Sequence, residues 1–288
     1  MVSAELHSRR RARLCTGATP FVSLSIKLSS PATREFWEIP VLHEDEHVLA
    51  LDKPSGLLTS PDRDDPNRPN LITLLHAGIA EAKPWAQTRG LSYLMNAHRL
   101  DFETSGVILL AKNKAALVQL ANLFGSETAA RKYLALVRGE PPVAHFEVDA
   151  KLAPQSGEAG LMRVDPKQGK RARTLFDVRE RFGGWTLLDC RPLTTRPHQI
   201  RVHLRYQGYV IVGDPLYGGK PLWLSRLKAN YRLKPQQTER PLIARLALHA
   251  EQLALPHPAT GQPLTITAPW PKDLTVAVKY LRRYSSAG

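Results

Sequence analysis

A histidine, an arginine and an aspartate share the segment HRLDFETSG at residues 98–106. The apolar run VILLAK, which is typical of a buried strand, follows it directly. A carboxylate held in a loop at the end of a strand, as Asp101 would be, is well placed to contact a substrate. Alternatively, Asp101 and Thr104 form an Asx or capping turn, and His98 is satisfied in the core. These nine residues alone leave both interpretations open.

A second group of cationic side chains lies in TTRPHQIRVHLR at residues 194–205. Its arginines and histidines are Arg196, His198, Arg201, His203 and Arg205. One interpretation is a helix with a solvated basic face. The other is that one guanidinium reaches a buried carboxylate, because an opposite charge favours the ionised form that a nucleophile or general base needs.

The histidines His98, His198, His203 and His249 raise the question of a metal site. None of their pairs has the i, i+4 spacing with a glutamate that is typical of zinc hydrolases. The sequence also contains no Walker-type phosphate loop and no glycine-rich dinucleotide fingerprint. We therefore expect neither a metal nor a cofactor.

The chain is strongly basic, with 40 lysines and arginines against 26 aspartates and glutamates and a formal net charge of +14. Such a surface attracts polyanions, namely nucleic acid, an anionic membrane or an acidic protein, although basicity can also serve solubility alone. Two cysteines, Cys15 and Cys190, indicate no disulfide framework and fit a reducing compartment. No apolar run is long enough to cross a bilayer. We expect a cytoplasmic monomer without membrane contact.

The elements that must position these residues are hairpin strands with a few helices between them. Apolar runs at residues 107–112 and 132–137 predict buried strands, and Asn113 is expected to cap a helix. Pro197 is expected to begin another helix, which Gly208 ends. Further strand pairs and helices are predicted at residues 39–58, 71–82, 172–193, 246–270 and 273–284. The pattern favours an α+β fold with a mixed, largely antiparallel sheet and flanking helices and loops.

Regular patterning begins near Ile39. Residues 1–38 are therefore assigned to a basic N-terminal extension, and residues 39–288 to one catalytic domain.

Five segments in order resemble the RluA family of pseudouridine synthases, across about residues 40–270. They are LALDKPSGLLTSP (49–61), HRLDFETSGVILLAKN (98–113), RKYLALVRG (131–139), RPHQIRVHLRYQGYVIVGDPLYGG (196–219) and RLALHAEQLAL (245–255). The resemblance implies a pseudouridine-synthase-like catalytic domain. It also implies an enzyme that isomerises uridine in transfer RNA or ribosomal RNA, without a cofactor.

The resemblance also implies roles for individual residues. Asp101 matches the catalytic aspartate, and Arg201 matches the basic residue that pairs with it. Tyr133 matches the tyrosine that stacks on the target base and assists proton removal. Arg99 matches the arginine that fills the gap left by the extruded base. Substrate-binding roles are expected for Arg99, His98, Thr104, Arg196, His198 and Gln199.

One segment departs from the family pattern. Many members read Gly-Arg-Thr-His-Gln-Ile-Arg where this chain has Thr195 in place of the glycine and Pro197 in place of the threonine. The change is expected to reshape the loop before the helix and to affect substrate choice. Two other functions stay open: a catalytically silent RNA-binding protein on the same fold, and a metal- or carboxylate-dependent hydrolase acting on nucleic acid.

Overall fold

The computed structural model describes residues 24–62, 65–158, 160–233 and 236–285. The strands in these ranges are β1 (Ser25–Ser30), β2 (Glu35–Glu44), β3 (Val48–Lys53), β4 (Met95–Asn96), β5 (Ser105–Ala111), β6 (Ala130–Arg138), β7 (His145–Asp149), β8 (Leu152–Pro154), β9 (Met162–Val164), β10 (Arg173–Phe182), β11 (Trp185–Pro192), β12 (Val210–Ile211), β13 (Leu248–Pro256) and β14 (Pro263–Thr267). The helices are α1 (Leu71–Ala80), α2 (Pro84–Gln87), α3 (Lys114–Gly125), α4 (Gln199–Tyr206) and α5 (Lys272–Tyr284), with a 3-10 turn at Leu224–Arg226. None of the described helices has the length and apolar character needed to span a membrane.

Twelve of the described strands form one sheet in the order β1-β2-β3-β5-β13-β6-β11-β10-β7, with β4 on β5, β12 on β6 and β14 on β13. The strands β8 and β9 form a separate hairpin. Strands β5 and β13 pair in parallel, and the other pairings are antiparallel. The predicted α+β class, with a mixed and largely antiparallel sheet, is confirmed.

Local sequence signals explain the elements around the catalytic segment. Asn113 caps α3 by accepting a hydrogen bond from the backbone N–H of Ala116 at 2.8 Å. Asn70 caps α1 in the same way, from Thr73 N at 2.9 Å. All residues of β5 are buried, as expected for a strand covered on both faces. These elements were predicted, and the structure confirms them.

The start of α4 differs from the prediction. The helix begins at Gln199, so the expectation that it begins at Pro197 is wrong. His198, between the two, has a φ of 51°, which lies in the left-handed region. A right-handed helix cannot include that conformation, and Pro197 therefore belongs to the preceding turn.

Residues 24–38, which the sequence assigns to the extension, form β1 and the first part of β2. Ile26 and Leu28 are buried in the same apolar cluster as Leu49 and Leu51 of β3. This part of the segment is therefore continuous with the sheet. The arginine-rich stretch before residue 24 lies outside the described residues.

Apolar clusters cover both faces of the central strands. Leu51 and Ile108 belong to the cluster that packs against α1, whereas Ala50 and Leu109 belong to the cluster that packs against α3. A third cluster packs α4 and α5 against β6 and β11. Burial on both faces makes the centre of the sheet a rigid base for the loop that carries Asp101.

The parallel strands approach so closely at Gly106 that a side chain cannot be accommodated. A Cβ atom there would lie 2.2 Å from the carbonyl oxygen of Ala250, and the φ of Gly106 is +112°. Both facts require glycine. The residue fixes the point at which the loop carrying Asp101 enters β5.

Candidate active site

Asp101 lies in a loop whose backbone is fixed on each side of the carboxylate. The hydroxyl of Thr59 donates to Leu100 O at 3.0 Å and accepts from Leu100 N at 3.1 Å. The N–H of Thr104 donates to Asp101 O at 3.2 Å. This turn uses the backbone oxygen of Asp101 and not its side chain. Asp101 therefore belongs to a tight turn and still keeps its carboxylate available to a substrate. The Thr104 hydroxyl is buried and has no hydrogen-bond partner among the described residues.

Lys53 supports the same loop from beneath. Its side chain is fully buried, and its Nζ donates to Leu57 O at 2.6 Å and to Phe102 O at 3.4 Å. Burial lowers the pKa of Lys53 to about 7, although the negative charge of Asp101 opposes the shift. No role was predicted for Lys53.

Arg201 brings the predicted cation to the carboxylate. Its Nη1 lies 3.3 Å from Asp101 Oδ2 and 3.9 Å from Glu103 Oε2. Its closer partner is Asp214, which accepts from Nε at 2.8 Å and from Nη2 at 2.7 Å. The side chains of Arg201 and Asp214 are 0% and 1% exposed, whereas that of Asp101 is 29% exposed. The guanidinium is thus anchored by one buried carboxylate and presented to a second that solvent reaches.

The pKa of Arg201 is raised because the ion pair with Asp214 outweighs the effect of burial, so its positive charge is permanent. Asp214 was not predicted as a site residue. It lies within the segment VIVGDPLYGG, and the single available signal was an acidic residue in an otherwise apolar and glycine-rich stretch.

His198 lies on the other side of the carboxylate, with Nε2 at 3.9 Å from Asp101 Oδ2. Its Nδ1 lies 2.9 Å from the hydroxyl oxygen of Tyr217, which accepts from Met162 N at 3.1 Å. We assign the hydroxyl hydrogen to the bond with Nδ1, which leaves the imidazole hydrogen on Nε2 and facing Asp101. Burial lowers the pKa of His198, so the ring is neutral near pH 7. The sequence analysis did not identify Tyr217.

Tyr133 reaches the site from β6. It is half-buried and packs against both the α1 cluster and the cluster of α4 and α5. Burial raises the pKa of its hydroxyl, although the positive charge of Arg131 opposes the shift. The phenol is therefore protonated at neutral pH. Tyr133 pairs with Ala250 of β13, which in turn pairs with Gly106, where the loop carrying Asp101 enters β5.

The side chains of His98 and Gln199 make hydrogen bonds within the framework of the fold, and their role in substrate binding stays a prediction. His98 Nε2 accepts from Leu109 N at 3.0 Å and its ring stacks on Phe124, with centroids 4.7 Å apart. Burial lowers the pKa of His98 to about 3. Gln199 is buried. Its Oε1 accepts a hydrogen bond from Thr194 Oγ1, and its Nε2 donates to Arg173 O and to Thr174 Oγ1.

The two remaining arginines of the prediction lie in exposed or half-buried positions. Arg99 is exposed, next to the catalytic loop. Arg196 is half-buried, and its Nη1 donates to Thr195 O at 2.7 Å. Their roles in binding substrate stay predictions. In the part of the chain that the structure describes, no group of three or more His, Cys, Asp or Glu side chains is arranged to bind a metal.

Comparison with known proteins decides the family. Residues 47–206 match the family described as RNA pseudouridylate synthase. The chain is a member of that family. The synthase is therefore an enzyme that isomerises uridine in RNA, as the resemblance predicted.

Two relatives match the synthase over most of its length. Ribosomal large subunit pseudouridine synthase D of Xanthomonas campestris pv. campestris is 34% identical over 295 residues, which cover 97% of this chain and 80% of that protein. Ribosomal large subunit pseudouridine synthase C of Escherichia coli (strain K12) is 36% identical over 245 residues, which cover 84% of this chain and 70% of that protein.

A solved structure shows the same fold. Human RNA Pseudouridylate Synthase Domain Containing 4 superposes with a TM-score of 0.62 at 24% identity, over 84% of this chain and 92% of that chain. The likeness concerns the arrangement of the sheet and helices.

Proposed function

We propose that the synthase isomerises uridine in ribosomal RNA of the large subunit, with Asp101 as the catalytic carboxylate. The observation that carries the proposal is the asymmetric pair of carboxylates on Arg201. Asp214 is fully buried and holds the guanidinium with two hydrogen bonds, whereas Asp101 is 29% exposed and faces Nη1 at 3.3 Å. Of the two carboxylates that hydrogen-bond to Arg201, Asp101 is thus the one that a substrate can reach.

The chemistry needs few groups. The bond between C1′ and N1 breaks, the uracil turns, and a bond between C1′ and C5 forms. The hydrogen on C5 leaves as a proton, and N1 gains a proton. Nothing is added or removed overall, so the reaction requires neither a cofactor nor a metal. Asp101 acts by addition to the base or at the sugar, and either route needs its negative charge, which the fixed positive charge of Arg201 stabilises.

The target base must leave its stack to reach Asp101, which costs a few kcal/mol. Tyr133 is suited to offset part of this cost by stacking on the base, since its ring spans two apolar clusters. We assign to its hydroxyl a relay in the removal of the C5 proton: the phenolic oxygen accepts that proton while its own proton passes to solvent. We assign the filling of the vacated position in the RNA to the exposed Arg99.

The choice of RNA follows the relatives, which are named for the large ribosomal subunit in both cases. We place the reaction in the cytoplasm and expect the enzyme to act as a monomer. The net charge of +14 supplies the part of RNA affinity that does not depend on sequence.

The test is tritium release from transcripts labelled at C5 of uridine, without added metal or cofactor. Large-subunit ribosomal RNA and bulk transfer RNA are incubated separately with the enzyme, and release into water is counted. Release from the ribosomal transcript alone is the expected result. Release from transfer RNA alone would overturn the assignment of the RNA class, and release from neither would contradict the proposal for free RNA.

A further inference from the structure

The side chain of Arg131 is a buried cation without a counter-ion. The residue is 9% exposed, and no carboxylate among the described residues lies at ion-pair distance from it. Its Nη1 donates to Thr195 Oγ1 at 2.5 Å, and its Nε is buried without a hydrogen-bond partner. A guanidinium stays protonated in proteins, and burying it unpaired is costly. Arg201, by contrast, is buried together with Asp214.

A second guanidinium, that of Arg196, also donates a hydrogen bond to Thr195. Arg196 Nη1 donates to the backbone oxygen of Thr195 at 2.7 Å, and its Nε is also buried without a partner in the described part of the chain. Thr195 itself is exposed. Two cations with unused donors therefore flank a residue that solvent reaches, and no acidic side chain of the described residues neutralises either one.

This cluster borders the catalytic pocket. Alternation along β6 places Arg131 and Tyr133 on one face and Lys132 on the other. The positive charge of Arg131 acts on the hydroxyl of Tyr133, which also responds to Asp101. On the other side, Thr195 leads within three residues to His198, whose Nε2 lies 3.9 Å from Asp101 Oδ2.

We propose that Arg131 and Arg196, together with Thr195, bind a backbone phosphate of the RNA beside the flipped nucleotide. The inference rests on the proposed function, because the ligand is the substrate of the same site. A phosphodiester supplies the missing negative charge, and its oxygens match the planar donors of a guanidinium. Thr195 stands at the position where many family members have glycine, so its hydroxyl orients Arg131 in a way that glycine does not.

The test measures binding without turnover. The dissociation constant of a large-subunit ribosomal RNA transcript is determined in the Asp101→Asn background at several salt concentrations. Arg131→Met keeps most of the apolar stem and removes the charge. This variant is expected to bind the RNA roughly tenfold or more weakly, because it loses a charge-assisted hydrogen bond to the phosphate. The slope of log K against log salt should become shallower by about 0.7 to 0.9, which corresponds to one phosphate contact.

Two further variants provide controls. Lys132→Met removes a cation from the adjacent position of β6, but Lys132 faces Asp189 and Glu251 at 3.4 Å each. The salt slope of that variant should equal that of the parent. Arg131→Lys keeps the charge and should keep the slope, with weaker binding because the planar fork is lost.

Unchanged slopes for folded Arg131→Met and Arg196→Met would overturn the phosphate site. If Arg131→Met does not fold, as judged by circular dichroism, the salt slope of the half-buried Arg196→Met decides the matter. Tritium release by the wild type tests the proposed function separately. Release with unchanged slopes would refute the phosphate site alone, whereas shallower slopes without release would refute the isomerase proposal alone.

Discussion

Replacing Asp214 is predicted mainly to destabilise the fold, whereas replacing Asp101 is predicted mainly to abolish turnover, although both carboxylates hydrogen-bond to Arg201. Asp214→Asn keeps the shape of the side chain but removes the negative charge that anchors Arg201 Nε and Nη2 at 2.8 and 2.7 Å. The asparagine can accept with one oxygen only, so one of the two hydrogen bonds is lost as well. The guanidinium then stays buried with Asp101 and Glu103 as its remaining opposite charges, at 3.3 and 3.9 Å.

The expected magnitude follows from this geometry. Breaking a buried ion pair by removing one partner destabilises a protein by about 3–5 kcal/mol. Asp101 and Glu103 are 29% and 25% exposed, so solvent screens their compensation but does not abolish it. We therefore expect a loss near the lower limit, about 3 kcal/mol. Because Arg201 is no longer held in one orientation, kcat should fall by roughly tenfold, which corresponds to about 1.4 kcal/mol.

Urea unfolding gives the stability, and tritium release under saturating RNA gives kcat. Asp101→Asn is the matched comparison, since it changes the other carboxylate on the same guanidinium. Its partial exposure limits its contribution to folding to less than about 1 kcal/mol, whereas its turnover should be abolished. Wild-type stability of Asp214→Asn would refute the idea that Asp214 anchors the site.

Three other perturbations have expected outcomes. Gly106→Ala places a methyl group 2.2 Å from Ala250 O and should destabilise the fold by about 3 kcal/mol or more in urea unfolding, and a smaller loss would contradict the close approach. Burial lowers the pKa of His98 from 6.5 to about 3 and that of His249 from 6.5 to about 4. Between these values and pH 6.5 the unfolded chain binds more protons than the folded one. The free energy of unfolding should therefore fall as the pH decreases below 6.5. Each histidine contributes at most about 1.4 kcal/mol per pH unit, and His98→Gln should flatten the dependence of the urea midpoint on pH. Tyr133→Phe keeps the stacking ring and should lower kcat by about a hundredfold with little change in KM, whereas a wild-type kcat would remove the hydroxyl from the mechanism.

Much of the fold follows from local sequence signals. The apolar run of β5 and the cap at Asn113 each predict an element that the structure contains. The left-handed conformation of His198 was not predictable, because Pro197 in the preceding position is equally typical of a first helical turn. Strand β1 was missed since its alternation is short and lies beside an arginine-rich segment.

The site was predictable to the extent that family motifs carry it. Asp101 and Arg201 come together as the resemblance implied. Asp214 was missed because its partner is 13 residues away, and only the folded chain shows that the two groups meet. The hydrogen bonds of His98 and Gln199 to backbone groups were not predictable, because a polar residue in a motif does not reveal which groups it contacts in the fold.

We predict that Asp101, and not a neighbouring carboxylate, performs the reaction. The most direct measurement is single-turnover tritium release from the C5-labelled ribosomal transcript by the wild type, Asp101→Asn and Glu103→Gln, with circular dichroism to establish folding. Glu103 is the matched control, since its carboxylate lies 3.9 Å from the same Arg201 Nη1. Release by the wild type and Glu103→Gln with none by folded Asp101→Asn is the predicted result. Release by Asp101→Asn at a rate near that of the wild type would contradict the account.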